Sequence, residues 1–436
     1  VEVLTGDDTV TKTATTYRLM RGMHGDRLPD GATRTVTVTD SRGGTVTDHN
    51  RFAGQVRETT VRDGSGGGLV SMTIDTGWLG TVTATRGTNT ARLTGTQASS
   101  TYVPTPVTTR ETRTTTSFDS LGFPVEVSDL GDVATSSDDL CTITTYVRDG
   151  SSGLILDRPR RTETVSTSCA ATPTRPDDVV SDQRMYYDGA ASSLTPPTEG
   201  NLTKVDELAT WGTGPAYVTT ATSSYDAYGR ETSATDAADR TTATGYTPAS
   251  NAHPTEVTTT NPAGHVSTSE LNRFWGTPDA VVDPNSRRTD VSHDALGRIT
   301  SVWAPGRSKA AGDTPQTKYA YGLRSTAPSY VTTQTMIHDG TYLTSHQLFD
   351  ALLRPRQTQT PAAGDDGGRV VTETWYDSRG LAVEQGGPYY NTAAPSTSLV
   401  QVLDAQNPAL TKTSYDGAAR PVLERFLSQS VEKWRT

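Results

Sequence analysis

Short runs of alternating apolar and polar residues, each closed by a turn signal, follow one another along the chain. Thr35-Val36-Thr37-Val38-Thr39 alternates strictly, the pattern of a strand with one half-buried face. Arg298-Ile299-Thr300-Ser301-Val302-Trp303 is a second short strand set between two turn signals. Long runs of the helix formers Ala, Leu, Glu, Lys and Gln are missing,. Turn starts at 226, 236, 247, 261, 273, 283 and 294 are spaced 10 to 14 residues apart. That beat leaves strands of about 5 to 8 residues, a normal strand length. The pattern predicts an all-β chain of repetitive antiparallel hairpins.

One unit dominates the turns. Tyr225-Asp226-Ala227-Tyr228-Gly229-Arg230 recurs as His293-Asp294-Ala295-Leu296-Gly297-Arg298, Tyr376-Asp377-Ser378-Arg379-Gly380 and Phe118-Asp119-Ser120-Leu121-Gly122. Degenerate copies are Phe349-Asp350-Ala351-Leu352-Leu353-Arg354 and Tyr415-Asp416-Gly417-Ala418-Ala419-Arg420. Aspartate accepts hydrogen bonds from amides two or three residues on, and glycine takes the left-handed conformation that closes the loop. A second turn set lies between these units: Asp236-Ala237-Ala238-Asp239, Asn261-Pro262-Ala263-Gly264 and Asp283-Pro284-Asn285-Ser286. Before residue 118 the beat is less regular, although Asp40-Ser41-Arg42-Gly43 and Asp63-Gly64 are turn signals of the same kind, the second echoed later at Asp149-Gly150-Ser151-Ser152. The expected organisation is a degenerate β-repeat region over 1–117, repeats over 118–421, and a segment 422–436 that is either a short helix or part of an interrupted repeat.

Composition sharpens this picture. Hydrophobic residues make up 33% of the 436 residues, below the usual 45–50% even after the two counts are put on the same basis. One thick, dry core is therefore excluded. Disorder is excluded too, since charge is 20% and the net charge of −10 is modest for the length,. Threonine fills 79 positions, and β-branched residues favour strands. A thin, wet sheet needs such polar strands, because an antiparallel sheet tolerates a solvated face. Basic residues are scattered among acids, with no stripe for nucleic acid,. No stretch has the apolar length of a membrane-spanning helix. The start, Val1-Glu2-Val3-Leu4-Thr5, lacks an initiator Met and a signal-peptide pattern, and reads as the start of an excised or processed piece.

The Tyr-Asp-x-x-Gly-Arg unit, its spacing of 21 residues from Tyr225 to Tyr246 and from Asn272 to His293, and the intervening Asp-Pro and Asn-Pro turns resemble the YD-repeat (RHS-repeat) family. That family comprises RHS polymorphic toxins, shell components of insecticidal toxin complexes, wall-associated toxins and teneurins. The resemblance covers about 118–420 and is weaker before it. It implies a long, curved sheet of hairpins spiralling into part of a hollow shell, which in bacterial members encloses a toxic C-terminal segment. The family's core, with its aspartate-based self-cleavage site, has no match here. Asp283-Pro284-Asn285 fits the turn beat instead, so the chain reads as a shell segment upstream of that core.

The candidate chemistry is sparse. Asp119, Gly122, Asp226, Gly229, Arg230, Asp294, Gly297, Arg298, Asp377, Gly380, Asp416 and Arg420 are structural turn residues. Their aspartates share one turn position, which favours capping over a glycosidase acid pair or a calcium loop. Cys141 and Cys169 are the only thiols and form the candidate disulfide between neighbouring strands, with two separate buried thiols as the alternative. His293 fills the aromatic slot of a repeat. His24 near Asp26, and His49 near Asp48, could be drawn into triads, but no nucleophile motif accompanies them. The repeat aromatics Phe118, Tyr187, Tyr225, Tyr246, Tyr376 and Tyr415 are expected to stack between successive hairpins; lining a sugar-binding face is the other reading. Acid pairs at Asp138-Asp139 and Asp365-Asp366 read as solvated loop charge.

These features lead to a functional expectation: a non-catalytic β-shell segment of a toxin-like protein, secreted or at the cell surface. It would encapsulate or present a C-terminal effector lying outside this chain, with no cofactor and no metal. Its partners would be the rest of the shell polypeptide and the enclosed effector, with a cell-surface glycan or protein as a further candidate and no nucleic acid. The alternative is an extracellular adhesin or carbohydrate-binding β-repeat module.

Overall fold

The computed structural model describes residues 2–5, 13–149, 153–364, 366–417 and 419–436. Val1, Gly150, Ser151, Ser152, Asp365 and Ala418, named above, lie outside the described residues. Among the described residues, 28 strands belong to one antiparallel sheet, and Thr37–Thr39 pairs with Thr45–Thr47 as a separate hairpin. The connectivity is a meander. Thr109–Phe118 pairs with Pro124–Asp132, which pairs with Leu140–Val147, which pairs with Arg158–Val165, and the same step repeats through Pro421–Ser428 and Val431–Arg435. Residues 422–436 are therefore strand; the helical alternative for them is overturned.

The chain divides into two compact units, 1–241 and 242–436, a boundary inside the repeat stretch, well beyond residue 117. In the first unit the longest hairpin, Leu69–Arg86 with Asn89–Pro104, overshoots its neighbours. A long excursion over 20–55 carries the small separate hairpin and a short 3-10 turn, Asn50–Phe52. Apolar burial is confined to small clusters. Met72, Ile74 and Tyr102 form one, and Val147, Met185 and Tyr187 form another. In the second unit Leu348 and Val371 are buried opposite Gln357 and Gln359 in the strand register, and Leu410 is buried two strands on. The chain exposes 25036 Å², whereas a compact monomer of its mass exposes about 16,000 Å². The thin core expected from 33% hydrophobic residues is what the threonine-rich strands deliver.

A meander sorts its turns by parity, since alternate turns fall on opposite edges of the sheet. In the first unit the turns at Asp119, Asp188 and Asp226 share one edge, and the turn at Asp236 lies on the other. In the second unit Asn272, Asp294, Asp350, Asp377 and Asp416 share one edge, while Asn261 and Asp283 occupy the opposite one. Within each unit, the two turn sets seen in the sequence are thus the two edges, or rims, of the sheet.

Cys141 and Cys169 form a disulfide. Cys141 lies on Leu140–Val147, but Cys169 lies in the loop after Arg158–Val165, so the bridge ties a loop onto a strand; it does not join two strands. Arg175 anchors the same loop by bonding both oxygens of the buried Glu163, at 2.9 and 2.8 Å. Closing a loop of 28 residues is worth on the order of 3–4 kcal/mol in the chain-entropy account,. Reduction, or the pair Cys141→Ser and Cys169→Ser, is expected to speed amide hydrogen exchange across 140–187 and leave exchange beyond 242 unchanged.

Candidate functional site

The recurrent turn is built the same way wherever it occurs. At Asp294, one carboxylate oxygen accepts the amides of Leu296 and Arg298 at 2.9 and 3.0 Å. The other accepts the Arg298 Nε at 2.8 Å. The Gly297 amide donates to the Asp294 carbonyl, and the Asp294 amide donates to the Arg298 carbonyl. Gly297 sits at φ 76°, and the register slips between Ser292 and His293. This is a type I turn closed by a left-handed residue in a G1 bulge. The second amide bond comes from four residues on, one further than turn chemistry alone suggested. Asp226 with Arg230, Asp350 with Arg354 and Asp236 with Arg240 repeat it, their Nε–carboxylate distances being 2.6, 2.6 and 2.8 Å. Asp416 accepts both the amide and the Nε of Arg420. Asp377 takes the amides of Arg379 and Leu381, and its guanidinium from Arg379.

Gly122, Gly229 and Gly380 take the left-handed position in their turns, and in the degenerate copies Leu353 and Ala419 take it at φ 60° and 62°. Two further turns take their guanidinium from afar. Asp119 accepts the amides of Leu121 and Phe123 and pairs with Arg148 of the next hairpin. Asp40 accepts the amides of Arg42 and Gly44 and pairs with the buried Arg57 at 2.6 Å. The sequence showed neither arginine, because the partner lies 29 and 17 residues away.

The aromatic residue works across hairpins. Tyr321 donates its hydroxyl to the Ile299 carbonyl at 2.8 Å, and its ring lies 4.4 Å from the Arg298 guanidinium. Tyr376 repeats this with the Pro355 carbonyl at 3.0 Å and Arg354 at 4.4 Å. Tyr146, Tyr187, Tyr225 and Tyr415 clasp the carbonyls of Pro124, Pro159, Leu202 and Ala382. Ring-on-ring stacking between hairpins, expected from the sequence, is therefore corrected for Tyr187, Tyr225, Tyr376 and Tyr415, whereas the Tyr146 ring lies 5.5 Å from that of Phe123. The hydroxyl finds the first or second carbonyl after the preceding turn of that rim, and for Tyr321 and Tyr376 the face finds that turn's arginine. A clasp of this kind is worth about 0.5–1.5 kcal/mol as a hydrogen bond, with a cation–π contact adding about 0.5–1 at exposed sites. His293 has no hydroxyl; its Nδ1 lies 3.2 Å from Asp279 instead. Phe118 stacks on Trp78 at 4.5 Å.

The electrostatics follow from these contacts. The Arg240 guanidinium, with the turn amides, holds the Asp236 carboxyl at about 2. Arg298 likewise lowers Asp294. For Asp119, Asp226 and Asp350 burial pushes the carboxyl up, but the turn amides and the arginine outweigh it and the net direction is down. These carboxylates are occupied as acceptors and poorly suited to carry protons.

The groups of the drawn triads are engaged with the backbone. Buried Asp48 accepts the amides of Arg21, Gly22 and Met23. The Nδ1 atoms of His24 and His49 accept the amides of Val36 and Arg51, and burial lowers the His49 pKa. Among the described residues, no group of three or more His, Cys, Asp or Glu is placed to hold a metal, and no helix is long and apolar enough to cross a membrane.

Sequence reasoning missed a glutamine clamp in the second unit. Gln357 donates to the Val400 carbonyl at 2.8 Å and accepts the Val400 amide at 2.9 Å. Gln359 does the same for Ser398 and Ser396, and also donates to Gln357. Both side chains are buried beneath the loop 392–409. Two glutamines at i and i+2 on a strand share a face, which was the available signal, but nothing local named the loop they hold.

No family model matches the sequence, and no curated protein is similar to it. Similar solved structures exist. A TcdB2-TccC3 crystal structure superposes with TM-score 0.65 at 12% identity, over 96% of this chain and 29% of that one. A Photorhabdus luminescens Tc holotoxin pore superposes with TM-score 0.67 at 12% identity, over 98% of this chain and 30% of that one. A TcdB2-TccC3-Cdc42 structure gives 0.64 at 10% identity, over 96% and 31%. The chain thus spans about three-tenths of the length of these neighbours. At this identity the likeness is one of fold, and at that level it agrees with the YD/RHS resemblance of the sequence.

Two outcomes follow from the turn geometry. Gly297→Val places a β-branched residue at φ 76°, with its Cβ 3.0 Å from the Trp275 ring; a loss of about 1–3 kcal/mol is expected, read as faster hydrogen exchange over 288–303. Leu353→Gly, at the same turn position, is expected to be neutral or stabilising. Separately, carboxyls with folded pKa values below the unfolded ~3.9 add stability above that pH and lose it as pH falls through their folded values. The melting temperature is expected to hold from neutral pH to roughly 5 and then fall progressively toward the Asp236 value of about 2.

Proposed function

We propose that this chain is a non-catalytic β-shell segment of a toxin-like protein, and that it encloses or presents an effector segment carried elsewhere on the same polypeptide. The observation that carries this reading is the meander itself. Hairpin follows hairpin with thin apolar burial, and the fold agrees over at least 96% of the chain with Tc toxin structures. A sheet held by turn-to-turn contacts can run on without a core, as repeat proteins do. The carboxylates best suited by number to be catalytic acids are tied into turns. On this reading the protein acts outside the cell that makes it, secreted or displayed at the surface, and its first partner is the enclosed polypeptide.

Small-angle X-ray scattering on the isolated chain tests this. A compact globule of this length has a radius of gyration of about 22 Å. A clearly larger value, with a distance distribution skewed to long vectors, is expected for a curved strip. A value at the compact limit would overturn the shell reading.

A further inference from the structure

The first unit holds a cavity whose charge is not balanced. Three neighbouring strands, Leu69–Arg86, Asn89–Pro104 and Thr109–Phe118, supply its floor. Ile74 pairs with Ser100 and Ser100 with Arg113, while Thr76 pairs with Ala98 and Ala98 with Thr115. Residues paired across strands share a face, so these rows set three hydroxyls and a guanidinium side by side. The turn at Asp40 forms the opposite wall, and the volume between is about 350 Å³. That turn is fixed from below. Asp40 pairs with Arg57, and the Ser41 amide and hydroxyl both donate to Glu58 at 2.6 Å.

Arg42, Arg57 and Arg113 line this cavity against one carboxylate, Asp40. Asp40 is engaged with Arg57, and Glu111 with Arg113; Glu58, beneath the turn, has Arg18 at 3.6 Å. Arg42 is left over. Among the described residues no carboxylate pairs with it, and its guanidinium rests 4.7 Å from the Tyr102 ring. Arg57 is 5% exposed, and its Nε finds no acceptor, which is costly for a buried donor. One positive charge therefore remains over a polar floor, and a guanidinium fork matches carboxylate and phosphate oxygens.

From this we infer that the cavity binds a small organic oxyanion, a carboxylate or phosphate ester on a body about the size of one sugar ring. Arg42 takes the anionic oxygens, and the Thr76, Ser100 and Thr115 side chains face the rest of the ligand. The volume lies inside the range of about 300–1,000 Å³ usual for ligand sites. It is more than ten times the ~30 Å³ share of a liquid water molecule, too roomy for a bare ion. The site does not depend on the shell reading, because all its walls lie within the first unit.

Calorimetric titration of the intact chain with glucuronate, glucose 6-phosphate, glucose and inorganic phosphate tests it. One or both sugar anions are expected to bind, and which of them binds tells carboxylate from phosphate; glucose is expected not to. Arg42→Gln should weaken binding about tenfold, the loss of one charge-assisted bond. The fold should survive, since it is the backbone amide of Arg42 that serves the turn. Arg110→Gln removes the same charge from the other face of Thr109–Phe118, where Arg110 pairs with Asp132 at 3.0 Å, and should leave binding unchanged. No binding by either sugar anion, glucose binding as tightly as they do, or equal losses from the two substitutions would overturn the inference. Inorganic phosphate binding as tightly as the sugar anions would overturn it too, since the site would then need no organic body.

Discussion

The carboxylate at the turn is the interaction on which the rest depends. One oxygen collects two backbone amides and so fixes the bulge and the register of the hairpin. The other holds an arginine, and at Arg298 and Arg354 that same arginine offers its face to the tyrosine of the next hairpin of the rim. The tyrosine then returns a hydrogen bond to the first carbonyl after the turn. Three polar contacts of modest strength thereby link one hairpin to its successor. A surface ion pair alone contributes little; here the pair is useful because the amides and the ring hold it in a single geometry.

Where the sheet does bury side chains, it often buries polar ones and satisfies them. Gln357 and Gln359 hold the loop 392–409 through its backbone, and Arg161 binds both oxygens of the buried Asp182. Buried polar groups are costly when unpaired and rigidifying when fully paired. A chain with few large apolar residues can cover its sheet with loops only by reading their backbones in this way. The disulfide between Cys141 and Cys169 and the Arg175–Glu163 pair do the same service for the loop after Arg158–Val165.

Much of this was legible in the sequence because the turn is local. Asp294, Gly297 and Arg298 lie within five residues, so spacing alone shows the hairpin, and repetition shows that hairpins follow one another. What could not be read was whatever crosses between strands. The arginines serving Asp40 and Asp119 sit in other hairpins, so local spacing could not pair them with their carboxylates. The tyrosine clasps depend on which carbonyl comes to lie beneath the ring, and the glutamine clamp depends on where a long loop returns. Parity was present in the sequence as two turn sets, but only strand pairing shows that each set is an edge.

Parity also sets the unit in which such a chain can change length. Adding or deleting one strand would carry every later tyrosine-bearing turn to the other edge, away from the carbonyls that its hydroxyls seek. Two strands together leave each turn where it was. The family of viable lengths therefore steps by whole hairpins, roughly twenty residues at a time, and single-strand indels should be confined to segments such as 20–55, where the beat is already suspended.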